Sequence, residues 1–272
     1  MSWFEAIVLG IAQGLTEFLP ISSTGHLRIV PAFAGWEDPG ALFTAVIQLG
    51  TMLAVVIYFW RDLERITRTW LGSLRRPELR GELDARMGWY VIIATIPIGV
   101  LGLAFNDQIE TGARNLYLIG TVLIVAGLIL AVADRVGRRA RAIDEVTRTD
   151  AIWVGVAQAL ALVPGTSRSG ATITAGLFLG MKREAAARFS FLLSIPAIVL
   201  SGLYGLTELI TGDESVSFGA LALATAVAFV FGYISIAFLL RWLATHSMMI
   251  FVVYRLVLGA VVLALAGAGT IS

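Results

Sequence analysis

Two polar runs interrupt a chain that is otherwise largely apolar. The first, QGLTEFLPISSTGH (13–26), carries Gln13, Glu17, Ser22, Ser23, Thr24 and His26. The second, PGTSRSGAT (164–172), carries Thr166, Ser167, Arg168, Ser169 and Thr172. Together they supply a carboxylate, an amide, an imidazole, several hydroxyls and a guanidinium. Arginine's planar fork of donors suits phosphate. A Gly- and Ser-rich turn that opens a helix presents backbone N–H groups to an anion. A carboxylate beside such an anion site calls for a cation between them, most simply Mg²⁺ or Ca²⁺ on oxygen ligands. Gln13 and Glu17 are four residues apart, so a helix places them on one face. The set suits phosphate-ester or diphosphate chemistry. Metal and arginine would offset charge, while a hydroxyl or imidazole attacks or moves a proton.

The elements that position these groups must lie in a membrane. The chain has 272 residues, 58% hydrophobic and 14% charged, with a mean hydropathy of +0.85. A soluble domain carries about a quarter charged residues. A single membrane domain, 1–272, is expected. Polar and ionisable groups at bilayer depth are expensive, which makes both runs functional candidates. The absence of cysteine excludes disulfides and thiolate metal sites. A net charge of +1 without a basic tail gives no sign of a nucleic-acid partner. The first residues lack the basic region of a signal peptide, so the first apolar segment is expected to stay in the mature protein.

A spanning helix needs about 20 mostly apolar residues. Six segments qualify: 42–60, 88–105, 116–134, 189–210, 218–241 and 249–268. Residues 3–33 and 151–180 are apolar but broken by the two polar runs, and read as re-entrant helical hairpins, since irregular backbone at depth must be buried in protein or line a wet cavity. Arginines crowd the 61–86 loop (Arg61, Arg65, Arg68, Arg75, Arg76, Arg80, Arg86) and the loop 135–149 (Arg135, Arg138, Arg139, Arg141, Arg148). Both loops should be cytoplasmic. Loops 106–115 and 211–217, with Arg114 alone in the first and Asp213 and Glu214 in the second, should face outward, and both termini with them. GIAQGL (10–15) matches GVAQAL (155–160), each followed by a proline, Pro20 or Pro164, and a small-hydroxyl run. Three spans follow each hairpin. That odd number inverts the second half, 150–272, relative to the first, 1–134, so the two breaks would meet near the midplane. The fold class is therefore an all-α polytopic membrane protein with six full spans, two re-entrant hairpins and an inverted-topology repeat.

Each residue also has a structural reading. Glu17 can be a buried acid bonded to the hydroxyl run, and His26 an interface histidine. Arg168 and Arg255 can snorkel toward headgroups. The hydroxyls can cap or bridge helices, and Gln13 with Gln158 can be a symmetric structural pair. Arg28, Lys182, Arg183, Arg188 and Arg241 read as interfacial anchors.

The motifs resemble those of a known family, the bacterial undecaprenyl-diphosphate phosphatases, also called bacitracin-resistance proteins. The first run is similar to the family's Glu/Gln-x-x-x-Glu motif with Ser-Ser-Thr-Gly-His. The second is similar to its Pro-Gly-x-Ser-Arg-Ser-Gly-Ala-Thr motif. YRL (254–256), IQLGTMLAV (47–55) and FSFLLSIPA (189–197) extend the likeness over nearly the whole chain. The resemblance implies cleavage of undecaprenyl diphosphate to undecaprenyl phosphate and inorganic phosphate, which recycles the lipid carrier of cell-wall synthesis. It implies Glu17, Ser23, His26 and Arg168 as the reacting groups, and Ser167, Thr172 and Arg255 around the phosphates, where the runs themselves add the hydroxyls of Ser22, Thr24 and Ser169 as candidates. Gln13 and Glu17 are the implied ligands of Mg²⁺ or Ca²⁺; Gln13 is neutral, so a metal would rest more heavily on Glu17. The nucleophile stays open between His26, Ser23 with His26 as base, and a metal-bound water. The implied setting is multi-pass in the bacterial inner membrane, with both termini periplasmic. Partners are the bilayer and the lipid substrate, with a homodimer left open. The rival reading is an inverted-repeat transporter or flippase of a lipid phosphate or other anion.

Overall fold

The computed structural model describes residues 1–105, 114–211 and 217–271. The described residues form helices joined by turns and no β-strand; the one bridge pairs Arg141 with Met181. In chain order the helices are α1 (Trp3–Phe18), α2 (Ser23–Ala34), α3 (Gly40–Tyr58), α4 (Trp60–Arg75), α5 (Leu83–Ala104), α6 (Leu116–Val136), α7 (Arg148–Ala159), α8 (Arg168–Phe178), α9 (Arg183–Thr211), α10 (Phe218–Leu243) and α11 (Met249–Gly267). Six of them, α3, α5, α6, α9, α10 and α11, are long and apolar enough to cross a membrane. They fall on the six expected segments. The chain is an all-α, multi-pass membrane protein. Val100, Leu128, Val132 and Val257 are half exposed on these spans, as side chains facing lipid should be.

The two broken segments each form a pair of short helices. α1 has 16 residues, about 24 Å at ~1.5 Å per residue, short of a ~30 Å hydrocarbon core. It stops before Pro20, and α2 turns back. The far ends of the pair meet again: the Phe4 ring lies edge-on to Trp36 at 5.9 Å. In the second pair the Thr147 capping box starts α7, a 3-10 turn (Leu160–Leu162) ends it, and α8 returns. Its ends are also pinned together. The amides of Ala140 and Arg141 both donate to the Gly180 carbonyl at 3.0 Å, and Lys182 N–H donates to the Arg141 carbonyl at 2.7 Å.

Each short pair leans on a span from the other part of the chain. α1 packs on α10 and α7 packs on α5. Glycine permits both contacts. A Cβ on Gly10 would stand 2.6 Å from the Ala224 carbonyl oxygen, and one on Gly155 would stand 2.6 Å from Ala94 Cα. These two glycines hold the same place in the GIAQGL and GVAQAL stretches.

One departure from expectation is α4, which occupies much of the 61–86 loop. Leu63, Ile66, Trp70 and Leu74 recur at helical spacing, which the arginine count obscured. Trp70 packs over Gly88 and lies edge-on to Trp89 at 5.6 Å. The arginine-rich elements gather at one end of the molecule and are joined there. Arg65 holds Asp84 at 2.7 Å, Arg188 holds Asp62 at 3.0 Å, Arg141 holds Asp150 at 2.6 Å and Arg183 pairs with Asp134. Asp134 also accepts from the Met248 amide at 3.1 Å, capping the start of α11. At the other end Arg28 and Arg114 share Asp38, and Tyr117 O–H donates to the Ala266 carbonyl at 2.9 Å. The loops 106–115 and 211–217 fall mostly outside the described residues, Asp213 and Glu214 included.

Candidate active site

The polar runs fold into the same turn twice. Ser22 (φ 75°, ψ 98°) and Ser167 (φ 70°, ψ 117°) are the N-caps of α2 and α8. Their hydroxyls accept from the amides three residues on, Gly25 at 3.3 Å and Gly170 at 3.1 Å. Ser22 Oγ lies 3.3 Å from Thr24 Oγ1, and Ser167 Oγ lies 3.1 Å from Ser169 Oγ. The next residues, Ser23 and Arg168, therefore take equivalent places as the first residue of each helix.

Those two side chains meet on Glu17. Arg168 Nη2 donates to Glu17 Oε1. Ser23 O–H donates to Oε2 at 2.6 Å, and Gln13 Nε2 donates to the same oxygen at 2.9 Å. The rest of the Arg168 fork reaches the Ser194 carbonyl at 3.3 Å and Gln48 Oε1 at 3.4 Å. A carboxylate with a 3% exposed side chain is too costly to leave uncompensated, and here every partner is a donor.

Other expected residues frame this centre. Ser169 O–H donates to the Leu19 carbonyl at 3.1 Å and so links the two turns. Thr172 O–H donates to the Arg168 carbonyl at 2.8 Å and lies 2.6 Å from Ser190 Oγ, which fixes α8 against α9. Arg255 is fully buried. Its guanidinium donates to the carbonyls of Leu123, Pro20, Thr166 and Gly165 at 3.0–3.1 Å. It binds both turns from behind, and four of its five N–H donors are spent on backbone. Snorkelling is therefore not how either arginine is used: Arg255 is inside the protein and Arg168 points to Glu17.

His26 Nδ1 lies 2.7 Å from the Ser22 carbonyl. A carbonyl only accepts, so Nδ1 carries the proton and the neutral ring leaves Nε2 as the basic nitrogen. Tyr254 O–H donates to that Nε2 at 2.7 Å. Tyr254 is 42% exposed and stands between His26 and the outside. Of the other site residues, Glu17, Ser23 and His26 are buried, and Thr24 and Arg168 are partly exposed.

Tyr254 and Gln48 were not singled out from the sequence. Their signals were present: Gln48 is an amide inside an apolar span, and Tyr254 sits in the YRL stretch that was used only for its arginine. Among the described residues no three acidic or histidine side chains cluster. Beside Glu17, however, the buried Gln13 Oε1 has no hydrogen-bond partner. One carboxylate and one free amide oxygen fit the habit of Mg²⁺, which takes few protein ligands and draws the rest from substrate phosphates and water.

The family model for bacitracin resistance protein BacA matches residues 6–261. The chain belongs to the BacA family. Relatives of this BacA chain include a protein of Nocardioides sp. that is 53% identical over 272 residues, covering 100% of this chain and 99% of its own. One from Mycolicibacterium smegmatis is 54% identical over 275 residues, with 100% and 99% covered. One from Thermobifida fusca is 54% identical over 272 residues, with 100% and 93% covered. All three bear the name undecaprenyl-diphosphatase. The stretch matched to the BacA model takes in both serine turns, Glu17, Gln48, Tyr254 and Arg255.

Proposed function

We propose that the chain hydrolyses undecaprenyl diphosphate to undecaprenyl phosphate and inorganic phosphate, returning the lipid carrier to cell-wall synthesis. The full-length relatives that bear this enzyme's name support hydrolysis over transport. The observation that carries the mechanism is the Ser23 hydroxyl, 2.6 Å from Glu17 Oε2 at the start of α2.

Ser23 Oγ attacks the distal phosphorus and passes its proton to Glu17. The bond from that phosphorus to the bridging oxygen breaks, and undecaprenyl phosphate leaves with the oxygen. Water then attacks the phosphoserine and gives its proton to His26 Nε2, whose ring is aimed by Ser22. Inorganic phosphate leaves, Glu17 returns the proton to Ser23 Oγ, and His26 gives up the proton it took to bulk water. Arg168 turns its fork onto the phosphoryl oxygens, helped by the amides at the starts of α2 and α8 and by the hydroxyls of Ser22, Thr24, Ser167 and Ser169. Thr172 and Arg255 act through position: they hold α8 and the two turns in register. Gln13 and Glu17 would hold the divalent cation, Mg²⁺ or Ca²⁺, which supplies charge compensation to the diphosphate when bound.

The arginine-rich end is the cytoplasmic one in this reading, with the loop 135–149 on it. The termini lie at the opposite, periplasmic end of an inner-membrane protein, and the pairs α1–α2 and α7–α8 are re-entrant. The halves 1–134 and 150–272 are then an inverted pair. The matched serine turns, the glycines at 10 and 155 and the exchanged packing on α10 and α5 support it.

The test is release of phosphate from a prenyl diphosphate by the purified protein in detergent, with and without chelator. Stoichiometric release that a chelator abolishes and added Mg²⁺ or Ca²⁺ restores is expected. Glu17→Gln should raise the metal concentration needed and leave a lower rate even at saturating metal, because the proton acceptor for Ser23 is gone. Intact lipid diphosphate after prolonged incubation with metal would reject the assignment.

A further inference from the structure

Away from the candidate active site, the arginine-rich end carries a cleft of about 840 Å³ between the start of α4, the start of α9 and the end of α10. Four arginines line it, Arg61, Arg65, Arg188 and Arg241, against two carboxylates, Asp62 and Glu184. The carboxylates are already taken. Asp62 holds Arg65 at 3.1 Å and Arg188 at 3.0 Å, and Glu184 lies 3.9 Å from Arg188. Arg65 has a further partner in Asp84, and Arg188 lies 5.6 Å over the Phe59 ring. Among the described residues, Arg61 and Arg241 have no hydrogen bond and no ion pair. Two guanidinium forks thus face one cleft with no carboxylate paired to them.

The cleft adjoins a second, more apolar groove. Arg241 also lines this second groove, of about 510 Å³, whose other walls are Tyr233, Ile234, Ala237, Phe238, Trp242 and His246. This groove runs down the exposed face of α10, with Ile234 and Phe238 about half exposed. A cationic mouth therefore opens onto an apolar channel along a spanning helix. Beside the mouth lies α4, an amphipathic helix with Arg61, Arg65, Arg68 and Arg75 along it. Such helices settle at the interface and gather anionic lipid.

We propose that this cleft and groove bind one anionic phospholipid of the bilayer. Its phosphodiester sits between Arg61 and Arg241, and an acyl chain lies along Tyr233–Phe238. Arginine's fork matches phosphate bidentately, and the groove offers a tail a path away from a phosphate held there. The site is separate from Glu17, Ser23 and Arg168, and does not depend on how the chain treats diphosphates.

Native mass spectrometry of the full chain in detergent, titrated with phosphatidylglycerol or phosphatidylcholine of the same acyl chains, tests this. Wild type should retain one phosphatidylglycerol with about tenfold preference over phosphatidylcholine. Arg61→Gln/Arg241→Gln should lose that preference while keeping its melting temperature and its rate of phosphate release. Arg138→Gln/Arg139→Gln removes equal charge outside the cleft and outside α4, and should behave as wild type. Ala237→Trp leaves the arginines intact, fills the groove, and should lower retention. Equal retention of the two lipids by wild type would overturn the proposal, as would undiminished preference in Arg61→Gln/Arg241→Gln. Displacement of the lipid by millimolar inorganic phosphate would reassign the cleft to a free anion.

Discussion

Ser22 and Ser167 hold the same left-handed backbone conformation, φ 75° and φ 70°, and each caps the helix that follows it. A non-glycine residue in such a region costs about 1–3 kcal/mol and persists where the surroundings enforce it. Here the enforcement comes from Arg255, which grips the neighbouring carbonyls of Pro20, Gly165 and Thr166. Alanine at either serine keeps the strain and removes the cap, a loss of about 0.5–2 kcal/mol. Glycine removes the cap and relieves the strain. Ser22→Gly and Ser167→Gly should therefore melt higher in detergent than the matching alanine variants. Identical melting of glycine and alanine variants at both positions would show that the conformation is not strained.

Arg168→Lys should lower turnover by at least about tenfold, equivalent to ~1.4 kcal/mol of lost transition-state contact. Lysine keeps the charge but cannot reach Glu17, Gln48 and the Ser194 carbonyl with one planar group. Steady-state phosphate release decides it. Turnover within about twofold of wild type would reduce Arg168 to a structural cation.

Ser23 and His26 act in different steps, so their variants should fail differently. Ser23→Ala should form no phospho-enzyme. His26→Ala should lose about 10²–10⁴-fold in rate, the range of general acid–base help, and accumulate phosphoserine at position 23. Rapid quench with labelled substrate and peptide mapping reads both. An acid-labile adduct on His26 would exchange their roles.

Asp150 lies at the mouth of α7, outside the spans, and its carboxylate joins that helix to Arg141. Burial pushes its carboxyl up. Hydrogen bonds from Arg141 and Thr147, with the Arg141 charge, outweigh burial and hold it below its ordinary 3.8. A lowered carboxylate stabilises the fold fully above the ordinary value, and that contribution is lost as pH falls through the lowered one. The melting difference between wild type and Asp150→Asn should therefore stay constant from neutral pH down to about 4 and shrink below it. A difference that shrinks already between pH 7 and 5 would contradict the sign.

The spans were legible because lipid demands long apolar helices, and their limits shifted by only a few residues. The breaks at Pro20 and Pro164 were legible for the converse reason: polar residues at depth need a purpose. α4 was not, because seven arginines between 61 and 86 read as a loop until Trp70 is seen packed on Gly88. The meeting of the two runs followed from the repeat, yet the partner of each group did not. Spacing does not say that Ser23 turns to Glu17 and not to His26. Nor does it say that Arg255 spends its donors on carbonyls as far as 235 residues away in sequence. Tyr254 escaped notice because its partner His26 is 228 residues distant.

The glycine contacts at Gly10 and Gly155 bear on how the centre would open. α1, which bears Glu17, is seated on α10, and α7, which leads to Arg168, is seated on α5. Both turns are thus carried by helices seated on spans of the other half, and glycine contacts also join α8 to α9, α9 to α3 and α3 to α10. To admit a headgroup, the contact between Glu17 and Arg168 has to give way, while Arg255, gripping both turns, keeps their carbonyls together.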